Sequence, residues 1–224
     1  MDNVAIFGCS PNYYYGALRI SNAIMGSKVF TNGTISSGTR EGVVIANSHH
    51  VTFSNSVIHD FGRMGFEASK AIDLTVENNI LNHIKPYGGV GEVIQSVEGW
   101  KELTGGWTLS GGASVTFRNN TAASLWHRGF SLPSHKCGQS DDNIKDNVAH
   151  SISGFGVIVS KSGGGCNEFS DFSAYKIGVA AVEMGVGGDN HVRNVVTIDS
   201  SIGIYMLGRA GTSIEMRDNI LYGS

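Results

Sequence analysis

The chain has 224 residues, and 16 lysines and arginines face 19 aspartates and glutamates, for a formal net charge of −3. So sparse and balanced a charge excludes a general nucleic-acid partner, which needs a basic surface. No stretch is apolar over the roughly 18 residues of a membrane span. The first residues lack the basic and apolar segments of a signal peptide. These features favour either a cytosolic protein or a piece of a larger one.

A pattern of alternating apolar residues closed by Asn or Asp recurs along the chain. It starts as LRISN, VTFSN, LTVEN and VTFRN and continues less regularly to IEMRD near the end. The closing residues are predicted to form one structural ladder: Asn22, Asn55, Asn78, Asn119, Asp146, Asp171, Asn194 and Asp218. Most of the steps between them are 23 to 27 residues long. A glycine that opens a short apolar run, as at Gly42 and Gly154, recurs in phase with these Asn and Asp residues.

Short strands and turns with this period predict a solenoid. We expect an all-β fold, a right-handed parallel β-helix of about eight coils that forms a single domain over residues 1–224. Successive coils stack about 4.8 Å apart, and the Asn or Asp at each corner tolerates the left-handed backbone conformation.

His150, which follows Asp146 by four residues, tests this prediction. The same offset defines a mixed column: His59, Asn82, Ala123, Tyr175, Ile198 and Tyr222. Such a column indicates a scaffold position that tolerates many side chains, rather than a catalytic histidine.

One interval, from Asn78 to Asn119, is too long for a single coil, and we interpret residues 85–108 as an inserted loop. Long loops on a rigid scaffold often carry function, but a flap that covers one side of the helix is the alternative. The three tryptophans, Trp100, Trp107 and Trp126, fall in or near this region. They suit either stacking on sugars or packing of the flap.

Cys137 and Cys166 are 29 residues apart, about one coil, so they are either a disulfide between neighbouring coils or two free thiols. Cys9 is left without a partner. Two glycosylation sequons occur, at Asn32 and Asn119. Because Asn119 belongs to the predicted ladder, Asn32, in a predicted loop, is the better candidate.

Enzymatic motifs are weak. The segment QSDDN supplies two carboxylates, Asp141 and Asp142, of the kind that glycoside hydrolysis requires. With His150 and Arg128 they form an alternative catalytic set, although a solvated turn explains QSDDN equally simply. His59 and His83 differ by one residue in register and are expected to face different directions. The spacings match no metal site, and no cofactor is predicted.

Three segments, NNTAASLWHRGFSLPSHKC, DNVAHSISGFGVIV and GGGCNEFSDFSAYKIGV, resemble the parallel β-helix region of the fibrocystin and fibrocystin-like proteins. The resemblance implies a large, membrane-anchored extracellular protein at cell surfaces or cilia. Cys137 and Cys166 match the family cysteines, which implies that they form a disulfide. It also implies that the chain is a fragment, with neighbouring domains of the parent protein covering its ends.

The sequence therefore favours a non-enzymatic extracellular scaffold or interaction module, part of a glycoprotein that binds an extracellular protein or a glycan. The alternative is a carbohydrate-active β-helix enzyme, either a polysaccharide lyase or a hydrolase. Neither hypothesis involves nucleic acid, a cofactor or membrane insertion by this segment.

Overall fold

The computed structural model describes residues 1–8, 16–85, 105–137, 143–160, 166–185, 188–207 and 213–223. Within these ranges all regular elements are β-strands, and no helix is long and apolar enough to cross a membrane. The strands form a parallel β-solenoid of about seven turns. The predicted fold class is confirmed, and the number of coils differs slightly from the eight expected.

Residues with positive φ mark the corners of each coil, and the corners divide the solenoid into three faces. Face 1 leads into the Asn/Asp corner, with four short strands: β3 (Lys28–Thr31), β6 (His49–Ser54), β14 (Asn143–Lys145) and β21 (Ser213–Arg217). Face 2 follows that corner: β1 (Ala5–Phe7), β4 (Thr34–Gly38), β7 (Val57–Phe61), β9 (Ile80–Asn82), β11 (Thr121–Ala123), β15 (Asn147–Ile152) and β22 (Ile220–Tyr222).

Face 3 closes the coil: β2 (Leu18–Ser21), β5 (Glu41–Ala46), β12 (Arg128–Pro133), β16 (Phe155–Ser160), β18 (Ala180–Gly185) and β20 (Ile202–Leu207). Four longer strands bend through a corner. Of these, β8 (Met64–Glu77) and β10 (Gly105–Arg118) run from face 3 into face 1, while β17 (Asn167–Ile177) and β19 (Asp189–Ile198) run from face 1 into face 2. The short β13 (His135–Lys136) pairs antiparallel with β17; the other strand pairs are parallel.

The main corner column contains Asn32, not Asn22. Thr31 lies opposite Ser54, and the Asn32 N–H donates to the Ser54 carbonyl, so Asn32 stacks on Asn55. Asn22 also has positive φ, but it stacks on Asn47, after face 3. The predicted ladder was therefore wrong at its first member. From Asn32 to Asp218 eight corners enclose seven turns, and Asn3, with φ of 54°, continues the column before Asn32 because its N–H donates to the Thr31 carbonyl.

The other seven predicted ladder residues all adopt the left-handed conformation, with φ between 50° and 58°. Asparagine and aspartate accept this conformation more readily than other non-glycine residues. In the one long interval, β10 begins at Gly105, so residues 105–108 of the predicted loop are strand. The remainder, from residue 86 to residue 104, lies outside the described residues.

A glycine column opens face 3, but its members differ in part from the predicted set. The register aligns Gly42, Gly65, Gly106, Gly129, Gly156 and Gly203. A Cβ on Gly129 would lie 2.6 Å from the Gly156 carbonyl oxygen and 2.7 Å from Ile152. Gly154, which was assigned to this column, lies in the preceding turn instead. Its absent Cβ leaves room for a carbonyl oxygen of the coil below.

A buried ladder of asparagines lies in the interior directly after the main corner. Asn79, Asn120 and Asn147 are at most 2% exposed. The Asn120 Oδ1 accepts from the backbone N–H and Nδ2 of Asn79, and the Asn147 Oδ1 accepts from the same two groups of Asn120. Each Nδ2 also donates to a backbone carbonyl of face 1. The ladder therefore ties successive coils together and satisfies its own buried polar atoms.

Candidate functional site

The outer surface of face 2 contains the predicted His150 column. The register places Ser36, His59, Asn82, Ala123, His150, Tyr175, Ile198 and Tyr222 in one row along the axis. The His150 ring stacks on Tyr175, with centroids 4.7 Å apart and planes 4° from parallel. Partial burial lowers the pKa of His150, and the nearby Lys176 charge lowers it further. Both effects favour the neutral form of the ring.

His59 and His83 come together, contrary to expectation. They differ by one residue in register as predicted, but their rings stack with centroids 5.5 Å apart. His83 lies at a left-handed corner, where its φ is 60°. Asp60 lies 3.5 Å from His83 and 3.0 Å from the Lys85 Nζ. The hydrogen bond from Lys85 lowers the pKa of Asp60, assisted by the charges of Lys85 and the two histidines and opposed by desolvation.

The alternative catalytic set is only partly described. Arg128 begins β12 on face 3 and is 4% exposed, whereas His150 lies on the outer surface of face 2. Asp141 and Asp142 lie outside the described residues. The two described members therefore belong to different faces of the solenoid.

The tryptophans also differ from one another. Trp107 is fully buried in the core, where its Nε1 donates to the Thr121 carbonyl, and it contacts Phe66 and Phe117. Trp126 is 52% exposed. Trp100 lies outside the described residues. Packing, not sugar stacking, is therefore the role of Trp107.

The predicted glycosylation site, Asn32, and the other sequon asparagine, Asn119, are structurally alike. Asn32 and Asn119 are both exposed members of the main corner column, with φ of 54° and 53°. The Nδ2 of Asn32 donates to Asp2. Because Asn32 is a corner rather than a loop residue, the reason for preferring it over Asn119 no longer holds.

A disulfide joins Cys137 to Cys166 at the edge of face 1. Cys9 lies outside the described residues. Beside the disulfide, the column Glu168, His191 and Glu215 runs up three successive coils. The His191 Nε2 lies 3.6 Å from the Cys166 Sγ and 3.2 Å from the Glu215 Oε2. The sequence indicated the cysteines, but His191 was missed because it stands 25 residues beyond Cys166.

A polar groove crosses the outer surface of face 3, and we call it the arginine groove. Its volume is about 550 Å³, and it is lined by three arginines, two glutamates and three small side chains: Arg19, Arg40, Glu41, Val44, Ala46, Arg63, Glu67 and Ser69. Arg63 forms an ion pair with Glu41 at 2.9 Å, and the Arg19 Nε donates to Ser21 at 2.7 Å. A volume of this size falls in the range of small-ligand sites, roughly 300–1,000 Å³.

The sequence did not indicate the arginine groove because its residues come from three coils. Register alone assembles them: Arg19, Val44 and Glu67 lie opposite one another on adjacent strands, and the Arg63 N–H donates to the Arg40 carbonyl. Their spacing of 23 to 25 residues was visible, but no local motif marks them.

The fold and the corner columns define a parallel β-helix. A family model described as the right-handed beta helix region matches residues 23–196. Because this match covers most of the chain, the chain belongs to that family.

The chain is similar to fibrocystin of Canis lupus familiaris, with 24% identity over 194 residues. The match covers 85% of this chain and 4% of fibrocystin, so the chain corresponds to a small part of that relative's length. The resemblance predicted from the three segments is therefore confirmed. Among solved structures, the Streptococcus pneumoniae surface protein and adhesin PfbA aligns with 93% of this chain and 63% of its own. The two chains are 11% identical and superpose with a TM-score of 0.21, so this similarity carries no argument about fold or function.

Proposed function

We propose that this chain is a non-enzymatic extracellular interaction module, a rigid β-helix that binds an acidic glycan in the arginine groove. The interior asparagine ladder supports rigidity, because it links the middle coils by satisfied buried hydrogen bonds. The Cys137–Cys166 disulfide and the similarity to fibrocystin support an extracellular or cell-surface location.

The arginine groove is the observation that carries the proposal. Its arginines present planar guanidinium groups that recognise carboxylates and sulfates in bidentate geometry. The small side chains of Val44, Ala46 and Ser69 leave room between them for a sugar ring. Glu41 and Glu67 supply acceptors for sugar hydroxyls. These chemistries together match a polymer that alternates acidic groups and hydroxyls.

A glycan array tests the proposal directly. The matched pair of variants is Arg40→Gln in the groove and Arg217→Gln on face 1, where Arg217 pairs with Glu215. We expect the unaltered protein and R217Q to bind uronate or sulfated glycans, and R40Q to bind them at least tenfold more weakly. Equal binding by both variants, or binding only to neutral glycans or to protein partners, would contradict an acidic-glycan groove.

The proposal also includes a fibrocystin-like parent protein and glycosylation of this chain. We expect the chain to function beside neighbouring domains of a fibrocystin-like cell-surface protein, with cilia as one setting. Glycosylation is proposed at Asn32, with the equally exposed Asn119 as the alternative. Mass spectrometry of the secreted protein before and after enzymatic deglycosylation tests this assignment.

The enzymatic alternative stays a hypothesis. Its described members, Arg128 and His150, gain no support from their positions on separate faces. A depolymerisation assay on acidic polysaccharides separates binding from cleavage.

A further inference from the structure

The surroundings of the Cys137–Cys166 disulfide contain more metal-binding atoms than a structural cross-link needs. The two sulfurs and a ring nitrogen of His191 all lie within 4.8 Å of one another. The Glu215 carboxylate adds an oxygen 3.2 Å from the His191 Nε2. Two sulfurs, one imidazole and one carboxylate are a set of four ligands that tetrahedral Zn²⁺ accepts.

The backbone holds these groups in place. The Cys137 N–H donates to the Cys166 carbonyl, and Cys166 immediately precedes β17. His191 and Glu215 occupy one column on β19 and β21. The two residues belong to adjacent coils. The Nε2 of His191 faces both the Cys166 Sγ and the Glu215 carboxylate. His191 is 21% exposed and Glu215 33% exposed, which leaves a path for an entering ion.

The other side of the imidazole faces an arginine and a carboxylate. Glu168 lies 4.0 Å from the His191 Nδ1, and Arg193 lies 3.2 Å from the same nitrogen. In zinc sites a carboxylate commonly accepts the second ring N–H of the ligating histidine and fixes its tautomer. For Glu168 to take that role it would have to approach Nδ1 from its present 4.0 Å, and Arg193 would have to leave Nδ1 when the Nε2 binds the ion.

We infer that Cys137, Cys166, His191 and Glu215 form a Zn²⁺ site when the disulfide is reduced, so that the edge of face 1 exchanges a disulfide for a metal. Two thiol molecules reduce the cross-link: the Cys137–Cys166 bond breaks, the reductant is oxidised to its own disulfide, and each cysteine takes up one proton. Zn²⁺ then displaces both thiol protons and binds two thiolates. Disulfide and metal exclude each other because both use the same sulfurs.

The experiment compares the oxidised protein with protein reduced by an immobilised phosphine, which leaves no competing thiol in solution. The phosphine passes two electrons to the disulfide and takes the oxygen of water, and the sulfurs take up protons. Zn²⁺ is titrated calorimetrically, and Co²⁺ replaces it for the thiolate charge-transfer absorption. We expect one ion per reduced chain and none bound at this site in the oxidised chain.

The variants are His191→Gln in the cluster and His150→Gln on face 2 as the matched control. H191Q should weaken zinc binding by more than the roughly 10–100-fold typical of changes outside the ligand shell, whereas H150Q should leave it unchanged. Circular dichroism accompanies each titration. Absence of binding to the reduced chain, equal binding by H191Q and H150Q, or binding only by a reduced chain that has lost its β-sheet signal would each overturn the inference.

Discussion

Replacing Asn120 by alanine removes the middle residue of the interior asparagine ladder. Its Oδ1 accepts from the backbone N–H and the Nδ2 of Asn79, at 3.2 and 3.0 Å, and its Nδ2 donates to the Val76 carbonyl at 2.9 Å. Alanine leaves two donors of Asn79 and the Val76 oxygen without these partners in the buried core. Asn147 keeps its bond from the backbone N–H of residue 120.

The cost follows from the number of groups left unsatisfied. Each buried polar group without a partner costs about 1–3 kcal/mol, so three such groups lead us to expect a loss of about 3–9 kcal/mol in the free energy of unfolding. The total stability of a domain is roughly 5–15 kcal/mol, so the urea midpoint should fall sharply. The neighbouring Asn119→Gly is the control, because Asn119 is exposed and its positive φ suits glycine.

Urea unfolding followed by circular dichroism measures both variants. Hydrogen exchange at the Asn79 amide adds a local reading, because this amide should lose protection in N120A and keep it in N119G. If N120A and N119G have the same midpoint within about 0.5 kcal/mol, the ladder does not stabilise the coils and the reasoning is refuted.

Three further outcomes are expected. Cys166→Ser removes the cross-link to Cys137, which lies 29 residues away. The stability should fall by about 3.5 kcal/mol, the chain entropy that a loop of this length restricts. An unchanged urea midpoint would refute this expectation. The pKa of His150 is lower in the folded than in the unfolded chain, so the free energy of unfolding should decline as the pH falls below 6.5. In H150F this decline should be smaller, which unfolding curves measured at several pH values would show. Gly154→Ala places a Cβ 1.9 Å from a carbonyl oxygen, whereas the Cβ of Gly185→Ala meets nothing within 4 Å. Thermal unfolding should show that Gly154→Ala loses about 2 kcal/mol or more of stability. Equal losses in the two variants would contradict the packing.

The period of the sequence was sufficient to predict the fold class and the row that contains His150. Both depend only on the distance between equivalent residues in successive coils. The choice between Asn22 and Asn32 was not predictable, because both are asparagines that adopt the left-handed conformation at a corner. Only the backbone hydrogen bonds between coils decide which of them stacks on Asn55.

The sequence contained a signal for the interior asparagine ladder, but its residues directly follow those of the main corner column. Asn-Asn or Asp-Asn pairs occur at 78–79, 119–120, 146–147 and 218–219. The first residue of each pair turns the corner, and the second points inward, but the pattern gives no reason to bury an amide. That reason appears only in three dimensions, where a buried amide bridges the coils above and below. The arginine groove also had no local signal in the sequence, since each coil contributes only one to four of its residues.

The most direct test of a binding rather than cleaving β-helix is depolymerisation of acidic polysaccharides. Hyaluronan and polyuronates are incubated with the protein, with and without calcium, and polymer size is followed by gel filtration. The account predicts that polymer size does not change, even where the glycan array detects binding. Shortening of the polymer that disappears in Asp142→Asn would contradict the account and assign the QSDDN segment to an active site.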